Sequence, residues 1–178
     1  MRVIAGEFRS RLLKSVQGLD TRPTPDRLRE SLFSILAPRI EGATFADLYA
    51  GTGAVGIEAI SRGAAKSIFV EINRSALNAI RDNLKSLGIE NRADVRQTKA
   101  SQVIARLRAD IVFLDPPYPL EAEYRTCLDS LGANSPALVI VQHSPRLKLD
   151  EGYGTLRRIR ELKQGDNTLS FYEPRRPD

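Results

Sequence analysis

Short apolar runs alternate with helix-like stretches between residues 44 and 142, and this alternation limits the possible folds more than any other feature of the chain. The runs are "TFADLY", "SIFVEI", "ADVRQ", "DIVFLD" and "ALVIVQ". The clearest helix between them is Asn73 to Leu87, and another is predicted in "TRPTPDRLRESLFSILAP", capped by Thr24 and stopped by Pro38. Near-continuous apolar strands separated by helices are typical of a parallel sheet covered on both faces. The segments at the end of the chain, "GTLRRIRELK" and "NTLSFYEP", are predicted to form an antiparallel pair of strands. Together these features predict an α/β fold.

A glycine-rich turn follows the first apolar run. Gly51, Gly53 and Gly56 have the spacing G-x-G-x-x-G, which permits a tight turn and a close approach of backbone to ligand ahead of a helix N-terminus. Glu71 ends the second run 20 positions after Gly51, where a carboxylate can bind ribose hydroxyls. Asp47, just before the glycines, suits an amino-acid ammonium and would repel a pyrophosphate. The pattern predicts a nucleoside cofactor and favours S-adenosylmethionine over NAD.

The fourth run ends in "LDPPYP", an unusual way to finish a buried strand. A residue that precedes proline is held in extended conformations, so Asp115 and Pro116 should continue outward from the strand. Because Pro116 and Pro117 have no N–H, we expect the carbonyls of this loop to lack local donors. The loop would present the Asp115 carboxylate, the Pro116 carbonyl and the ring of Tyr118 at the ligand-binding edge of the sheet.

These groups form a receptor for a planar molecule that carries an NH₂ group. If Asp115 and Pro116 hold both hydrogens of an exocyclic amine, its lone pair points in a third direction, where a methylsulfonium can lie in line. Tyr118 would stack on the base with about 1–3 kcal/mol. The corner therefore predicts methyl transfer to an exocyclic amine of a nucleobase.

The first 40 residues are basic, with eight Lys and Arg against four acids, and they hold +4 of the total net charge of +5. The charge alone would be explained equally well by a protein surface that is only exposed to solvent. Arg is the commoner cation here, and its planar fork suits phosphate, so we predict a nucleic-acid contact surface.

Composition excludes several classes of protein. The 178 residues are the length of one domain, and the longest apolar run, "ALVIV", is far too short to span a bilayer. A single cysteine, Cys127, fits a reducing compartment, and with a single histidine, His143, it argues against a His/Cys zinc site. We interpret His143 as a strand-end residue and Cys127 as core. A cytoplasmic monomer with no metal and no membrane contact is predicted.

In the order "DLYAGTGAVGIEAISRGA", "FVE" and "LDPPY", the chain resembles a class I S-adenosylmethionine-dependent amino-methyltransferase. The segments "RVIAGEFRSRLL", "LDTRPTPDRLRESLFSIL" and "GDNTLSFY" are similar to the bacterial family that methylates N2 of a guanine in small-subunit (16S) ribosomal RNA. The resemblance implies a Rossmann-like, mostly parallel sheet of seven strands, with helices on both faces and an antiparallel last strand. It also implies an N-terminal β-hairpin appendage over residues 1–22 and a methyltransferase domain over residues 23–178.

The resemblance carries roles to particular residues. The target base would lie at the corner formed by Asp115, Pro116, Pro117 and Tyr118. The predicted S-adenosylmethionine contacts are Arg22, Pro23, Thr24, Asp47, Tyr49, Ala50, Gly51, Gly53, Gly56, Glu71, Ile72, Ala100 and Asp115. The predicted RNA contacts are Arg2, Arg9, Arg11, Lys14 and Arg27. The partner would be 16S ribosomal RNA within a small-subunit assembly particle.

One position departs from the pattern, since Lys99 stands where such enzymes commonly have an acceptor for the adenine amine, and an ammonium cannot accept. Either the backbone near Ala100 makes this contact or cofactor affinity is reduced; we prefer that Lys99 faces solvent.

A DNA adenine or cytosine amino-methyltransferase is an alternative function, although a duplex base must first be flipped out. The other alternative is a catalytically weak RNA-binding ribosome-assembly factor. A protein-glutamine methyltransferase and an NAD enzyme fit less well.

Overall fold

The computed structural model describes residues 1–16, 24–117, 119–134 and 136–175. Within these ranges the helices are α1 (Asp26–Ile40), α2 (Ala54–Ser61), α3 (Arg74–Leu87), α4 (Ala100–Val103) and α5 (Glu121–Asn134), with 3₁₀ turns at Glu90–Arg92 and Ile104–Arg106. The strands are β1 (Thr44–Asp47), β2 (Lys66–Glu71), β3 (Ala93–Gln97), β4 (Ile111–Leu114), β5 (Leu138–His143), β6 (Gly152–Tyr153), β7 (Leu156–Gln164) and β8 (Asn167–Pro174). No helix in the described ranges is both long enough and apolar enough to cross a membrane.

The strands form one sheet in the order β3-β2-β1-β4-β5-β8-β7-β6. β1 to β5 pair in parallel, whereas β8, β7 and β6 pair antiparallel, so the predicted Rossmann-like α/β fold is confirmed. Eight strands replace the predicted seven because the two-residue β6 adds a short edge to β7. The strand order reverses at β1, with β2 on one side and β4 on the other. Such a reversal opens a crevice at the carboxyl ends of the strands.

Apolar layers cover both faces of the central strands. In β4, Ile111 and Phe113 pack with residues of α1 and α2, while Val112 and Leu114 pack with residues of α5. All four are at most 2% exposed, and burying an aliphatic or aromatic side chain of this size contributes about 1.5–3 kcal/mol. A strand that is apolar at every position therefore needs helices on both sides, as the sequence predicted.

Helix α1 differs from the prediction at both ends. Pro25 rather than Thr24 is the N-cap residue, and within the described residues no side chain caps it. Pro38 lies inside the helix, which continues to Ile40. The proline is tolerated because Ser34, whose carbonyl would have bonded the missing N–H, is exposed to solvent. The buried Ile40, 3% exposed, holds the last turn against the core.

Residues 1–16, which we call the N-terminal arm, fold back on the helices. The predicted hairpin is reduced to one antiparallel bridge between Arg2 and Leu12. Glu58, which is 0% exposed in α2, accepts hydrogen bonds from the N–H groups of Ile4 at 2.9 Å and Ala5 at 3.0 Å. A buried carboxylate therefore fixes the arm on the helical layer. The predicted domain boundary after residue 22 lies outside the described residues.

Arg29 also belongs to this attachment. Its side chain is 0% exposed, donates to the Arg2 carbonyl at 2.6 Å and lies 3.7 Å from the Glu58 carboxylate. Burying one charge without the other would be costly, so the pair is kept together. Arg29 is thus one cation of the basic segment that cannot reach a phosphate.

Asn83, 2% exposed on α3, joins the arm to the glycine-rich turn. Its Oδ1 accepts from the Lys14 N–H at 2.7 Å. Its Nδ2 donates to the Lys14 carbonyl at 3.2 Å and to the Thr52 carbonyl at 3.1 Å. One side chain therefore satisfies the backbone of both the arm and the turn.

We expect Asn83→Ala to lower the free energy of unfolding by about 1–3 kcal/mol, because it leaves part-buried backbone groups without their partner. Asn78→Ala, at an exposed position of the same helix, should change it by less than about 0.5 kcal/mol. Urea denaturation of the two variants measures the difference. Equal, small losses would show that Asn83 does not hold the arm.

Candidate active site

A cavity of about 1000 Å³ opens at the carboxyl ends of the parallel strands. Its volume is at the upper end of the range for ligand pockets. The predicted site residues that line it are Thr24, Asp47, Tyr49, Ala50, Gly51, Glu71, Ile72, Ala100, Asp115, Pro116 and Pro117. Of the other predicted residues, Arg22, Pro23 and Tyr118 lie outside the described ranges. Gly53 and Gly56 are described, but they are not part of the cavity wall.

Gly53 and Gly56 determine the shape of the glycine-rich turn without lining the cavity. Gly53 is the N-cap of α2 with φ of 84°, a left-handed conformation that other residues rarely adopt. A Cβ at Gly56 would lie 2.4 Å from a ring carbon of Phe69 on β2. Glycine at this position lets α2 pack directly against the sheet and leaves the backbone of Gly51 at the cavity.

Glu71 is held firmly at the end of β2. Its Oε2 accepts from the Gly51 N–H at 2.8 Å, and its Oε1 accepts from the N–H groups of Ile72 and Asn73, both at 2.9 Å. A carboxylate offers about four acceptor positions. Glu71 therefore connects the glycine-rich turn to β2 and can still accept a ligand hydroxyl.

Asp47 and Asp115 are carboxyl groups at the ends of β1 and β4, and Asp47 is buried whereas Asp115 is half-buried in the wall of the cavity. Burial raises the pKa of Asp47 to about 7, and the charge of Glu71 adds to the shift while backbone hydrogen bonding at Gly56 opposes it. Burial and the neighbouring Asp47 raise the pKa of Asp115 to about 8. Within the described residues, Asp47 Oδ1 has no hydrogen-bond partner. These carboxyls favour a ligand that brings positive charge or N–H donors.

The double-proline corner is supported by α5. The Tyr124 hydroxyl donates to the Pro116 carbonyl at 3.1 Å, and the Leu120 N–H donates to the Pro117 carbonyl at 3.0 Å. The prediction that these carbonyls lack local donors is wrong, because Leu120, just before α5, and Tyr124, within α5, donate to them. Since a carbonyl has two lone pairs, Pro116 can accept a second hydrogen bond from a ligand.

Sequence reasoning missed several residues of the cavity wall. Gln142 reaches it from the end of β5, and Asn167 reaches it from the start of β8. Gln142 could have been predicted from the sequence as a site residue, because it lies at the end of a predicted parallel strand. Asn167 could be found only by knowing that the antiparallel β8 inserts beside β5. Met1, Ser15 and Val16 of the arm also line the cavity, and no local pattern marks them.

Two residues interpreted as structural have that role. His143 is 2% exposed, with Nε2 at 2.8 Å from the Ser170 hydroxyl and Nδ1 at 2.9 Å from the Ser144 carbonyl. Burial lowers its pKa, which keeps the ring neutral. Cys127 is 0% exposed, in the core.

Lys99 is exposed to solvent, as we preferred, but it also borders the cavity beside Ala100.

The cations predicted to contact RNA are all on the surface: Arg2, Arg9, Arg11, Lys14 and Arg27. Arg11 donates to the Ser86 carbonyl at 2.9 Å, and Lys14 pairs with Asp82 at 2.9 Å. Exposed pairs of this kind contribute about 0–1 kcal/mol, so they do not prevent the cations from binding a phosphate.

The raised pKa of Asp47 generates a prediction about stability. Between about pH 4 and pH 7 the folded chain keeps a proton that the unfolded chain, with a carboxyl pKa of 3.8, has released, so the free energy of unfolding falls as pH rises. Asp47→Asn removes this titration. Its stability relative to the unaltered protein should increase by more than about 1 kcal/mol from pH 5 to pH 8, measured by denaturant titration.

Asp129→Asn is the matched control, because this exposed carboxylate of α5 is not removed from water. The change in stability between the two pH values should be larger for Asp47→Asn than for Asp129→Asn. A pH-independent effect of Asp47→Asn would show that the buried carboxyl does not titrate in this range.

Comparison with known proteins agrees with this architecture along the chain. The family model described as "Conserved hypothetical protein 95" matches residues 1–173. The "Putative rRNA methyltransferase YlbH" of Bacillus subtilis is 33% identical over 184 aligned residues, which cover 98% of this chain and 100% of that protein. The "Ribosomal RNA small subunit methyltransferase D" of Escherichia coli is 40% identical over 120 residues, which cover 66% of this chain and 60% of that protein.

A solved structure gives the same result for the fold. The protein named "Putative methyltransferase yhhF from Escherichia coli" superposes with a TM-score of 0.86 at 33% identity, over 98% of this chain and 97% of that one. The likeness covers the arm as well as the sheet.

Proposed function

The chain belongs to the Conserved hypothetical protein 95 family, and from this membership and the cavity we propose that it transfers a methyl group from S-adenosylmethionine to the exocyclic N2 amine of a guanine in small-subunit (16S) ribosomal RNA. Relatives named as ribosomal RNA methyltransferases support the reaction and the substrate class. The observation that carries the proposal is the meeting of Asp47, Asp115 and Pro116 in one cavity beside the glycine-rich turn.

The residues of the cavity fit S-adenosylmethionine. The buried Asp47 Oδ1, which has no partner within the described residues, would accept from the amino-acid ammonium. Glu71 would accept from a ribose hydroxyl, and the backbone near Ala100 would meet the adenine in place of the Lys99 side chain. The cofactor would supply a methyl group attached to positively charged sulfur. The predicted contacts of Arg22, Pro23 and Tyr118 remain part of the proposal.

The corner would bind and orient the target amine. One N–H of the amine would donate to the Asp115 carboxylate and the other to the Pro116 carbonyl, which directs the nitrogen lone pair into the cofactor side of the cavity. Holding reacting atoms in this way removes much of the entropic barrier. The raised pKa of Asp115, about 8, makes its carboxylate a stronger base than an ordinary aspartate, as suits a group that collects the proton released by the amine.

The arm would place RNA at the mouth of this cavity. Its exposed cations supply affinity that does not depend on sequence, and its residues Met1, Ser15 and Val16 form part of the cavity wall. A base in an RNA loop is already unstacked, which favours RNA over duplex DNA. We place the reaction in the cytoplasm, on a small-subunit assembly particle, with the protein acting as a monomer.

Labelled methyl transfer tests the function directly. The protein should label small subunits or small-subunit RNA that lack the modification, and digestion should yield N2-methylguanosine as the labelled nucleoside. Asp115→Ala should abolish transfer and leave S-adenosylhomocysteine binding nearly intact, because this acceptor holds the target and is only one of many predicted cofactor contacts. DNA in the same assay should remain unlabelled.

Three outcomes would contradict the proposal. Label in adenine or cytosine of DNA would favour the DNA methyltransferase alternative. Retained turnover in Asp115→Ala would remove the carboxylate from the mechanism. Binding of RNA without any binding of S-adenosylhomocysteine would favour the ribosome-assembly factor.

A second prediction concerns the arm. Changing Arg9, Arg11 and Lys14 together to Gln should weaken RNA binding and reduce the slope of log affinity against log salt by up to about 2, at roughly 0.7 per lost contact with single-stranded RNA. The matched control changes Lys66, Arg106 and Arg108 to Gln. Lys66 is the first residue of β2, and Arg106 and Arg108 precede β4, so these exposed cations lie at the amino ends of the strands, opposite the cavity. An equal effect of both triple variants would mean that RNA does not lie on the arm.

A further inference from the structure

We infer that Gln142, held in one orientation by Thr24 and Asn167, reads the ring edge next to the target amine and so selects guanine. The inference rests on the proposed function and names the residue that determines its substrate base. Gln142 is 3% exposed and lines the same cavity as Asp115 and Pro116.

Strand register brings Gln142 next to the corner. β4 and β5 pair in parallel with Leu114 opposite Val141, so Asp115, which follows β4, and Gln142, near the end of β5, are at the same level on neighbouring strands. Neighbouring strands are about 4.8 Å apart. A base whose amine lies at Asp115 therefore has its adjacent ring atoms within reach of the Gln142 amide.

Two hydrogen bonds fix the orientation of this amide. The Thr24 hydroxyl donates to Gln142 Oε1 at 3.3 Å, and Gln142 Nε2 donates to Asn167 Oδ1 at 3.3 Å. The Gln142 carbonyl lies 3.3 Å from the Tyr124 hydroxyl, whose single proton it shares with the Pro116 carbonyl. Oε1 and Nε2 can each make a further hydrogen bond, one as acceptor and one as donor.

Guanine is the base that matches such an amide. Its N2 amine stands between the N3 acceptor and the N1–H donor, which is followed by the O6 acceptor, whereas the only ring nitrogen beside the amine of adenine or cytosine is an acceptor. With Gln142 fixed, Oε1 can receive N1–H and Nε2 can donate to O6. An adenine or cytosine held by its amine at Asp115 would bring a lone pair against Oε1. A paired contact of this kind discriminates by about 10- to 100-fold.

The test compares guanine with 2-aminopurine, which keeps the C2 amine but has an acceptor at N1 and no O6. Each base is placed by splinted ligation at the nucleotide that labelled methyl transfer identifies, in small-subunit RNA assembled into particles. The unaltered protein should methylate 2-aminopurine with a kcat/KM about 10- to 100-fold below that for guanine. Gln142→Met should lower kcat/KM for guanine by a similar factor and leave that for 2-aminopurine within about threefold.

Gln142→Glu is the conservative variant. It keeps an acceptor for N1–H and loses the donor for O6, so its kcat/KM for guanine should lie between those of the unaltered protein and Gln142→Met. Gln142 is bonded to Thr24, a predicted cofactor contact, so transfer is measured at saturating S-adenosylmethionine, and thermal melting checks that both variants are folded at the assay temperature.

The outcomes separate the two proposals. If the unaltered protein uses 2-aminopurine as well as guanine, or if Gln142→Met reduces both substrates equally, Gln142 does not read the base and the inference is overturned while the proposed function stands. If the unaltered protein methylates neither base in any particle, the proposed function itself fails and the inference falls with it.

Discussion

The reversal of strand order at β1 is the constraint on which the rest of the molecule depends. It places β2 and β4 on opposite sides of β1 and so leaves the carboxyl ends of these strands facing a crevice. Asp47 and Asp115 are then brought together in an apolar wall, where desolvation raises the pKa of both. A cationic or amine-bearing ligand relieves that penalty. The topology of the sheet therefore determines the chemistry that the cavity accepts.

The N-terminal arm is part of the same construction. Glu58 and Arg29 fix its first residues on the helical layer, and Asn83 connects Lys14 to the Thr52 carbonyl in the glycine-rich turn. The surface proposed to carry RNA and the turn proposed to carry the cofactor are thus joined by one buried side chain. In the proposed function, this connection would hold the basic segment in a fixed position relative to the cofactor.

Local patterns in the sequence were sufficient for the sheet, the glycine-rich turn and the acidic corner, because each depends on residues close together in the chain. Most of the misses involve partners that are far apart in the chain. Pro38 stays inside α1 because Ile40 is buried in a cluster that includes residues of β5 and β8. The donors to the proline carbonyls are an exception, since Leu120 and Tyr124 follow their partners closely in the chain. Gln142 and Asn167 meet only because β8 inserts antiparallel beside β5. Such contacts follow from tertiary packing, which no short window of sequence specifies.

The central claim is that the double-proline corner holds a base by its amine next to the cofactor. A crystal structure of the protein with S-adenosylhomocysteine and an RNA fragment containing the target guanine tests it most directly. The account predicts the N2 nitrogen within hydrogen-bond distance of both the Asp115 carboxylate and the Pro116 carbonyl, with the cofactor sulfur on the third side. A guanine bound elsewhere, with the corner filled by protein side chains, would contradict it.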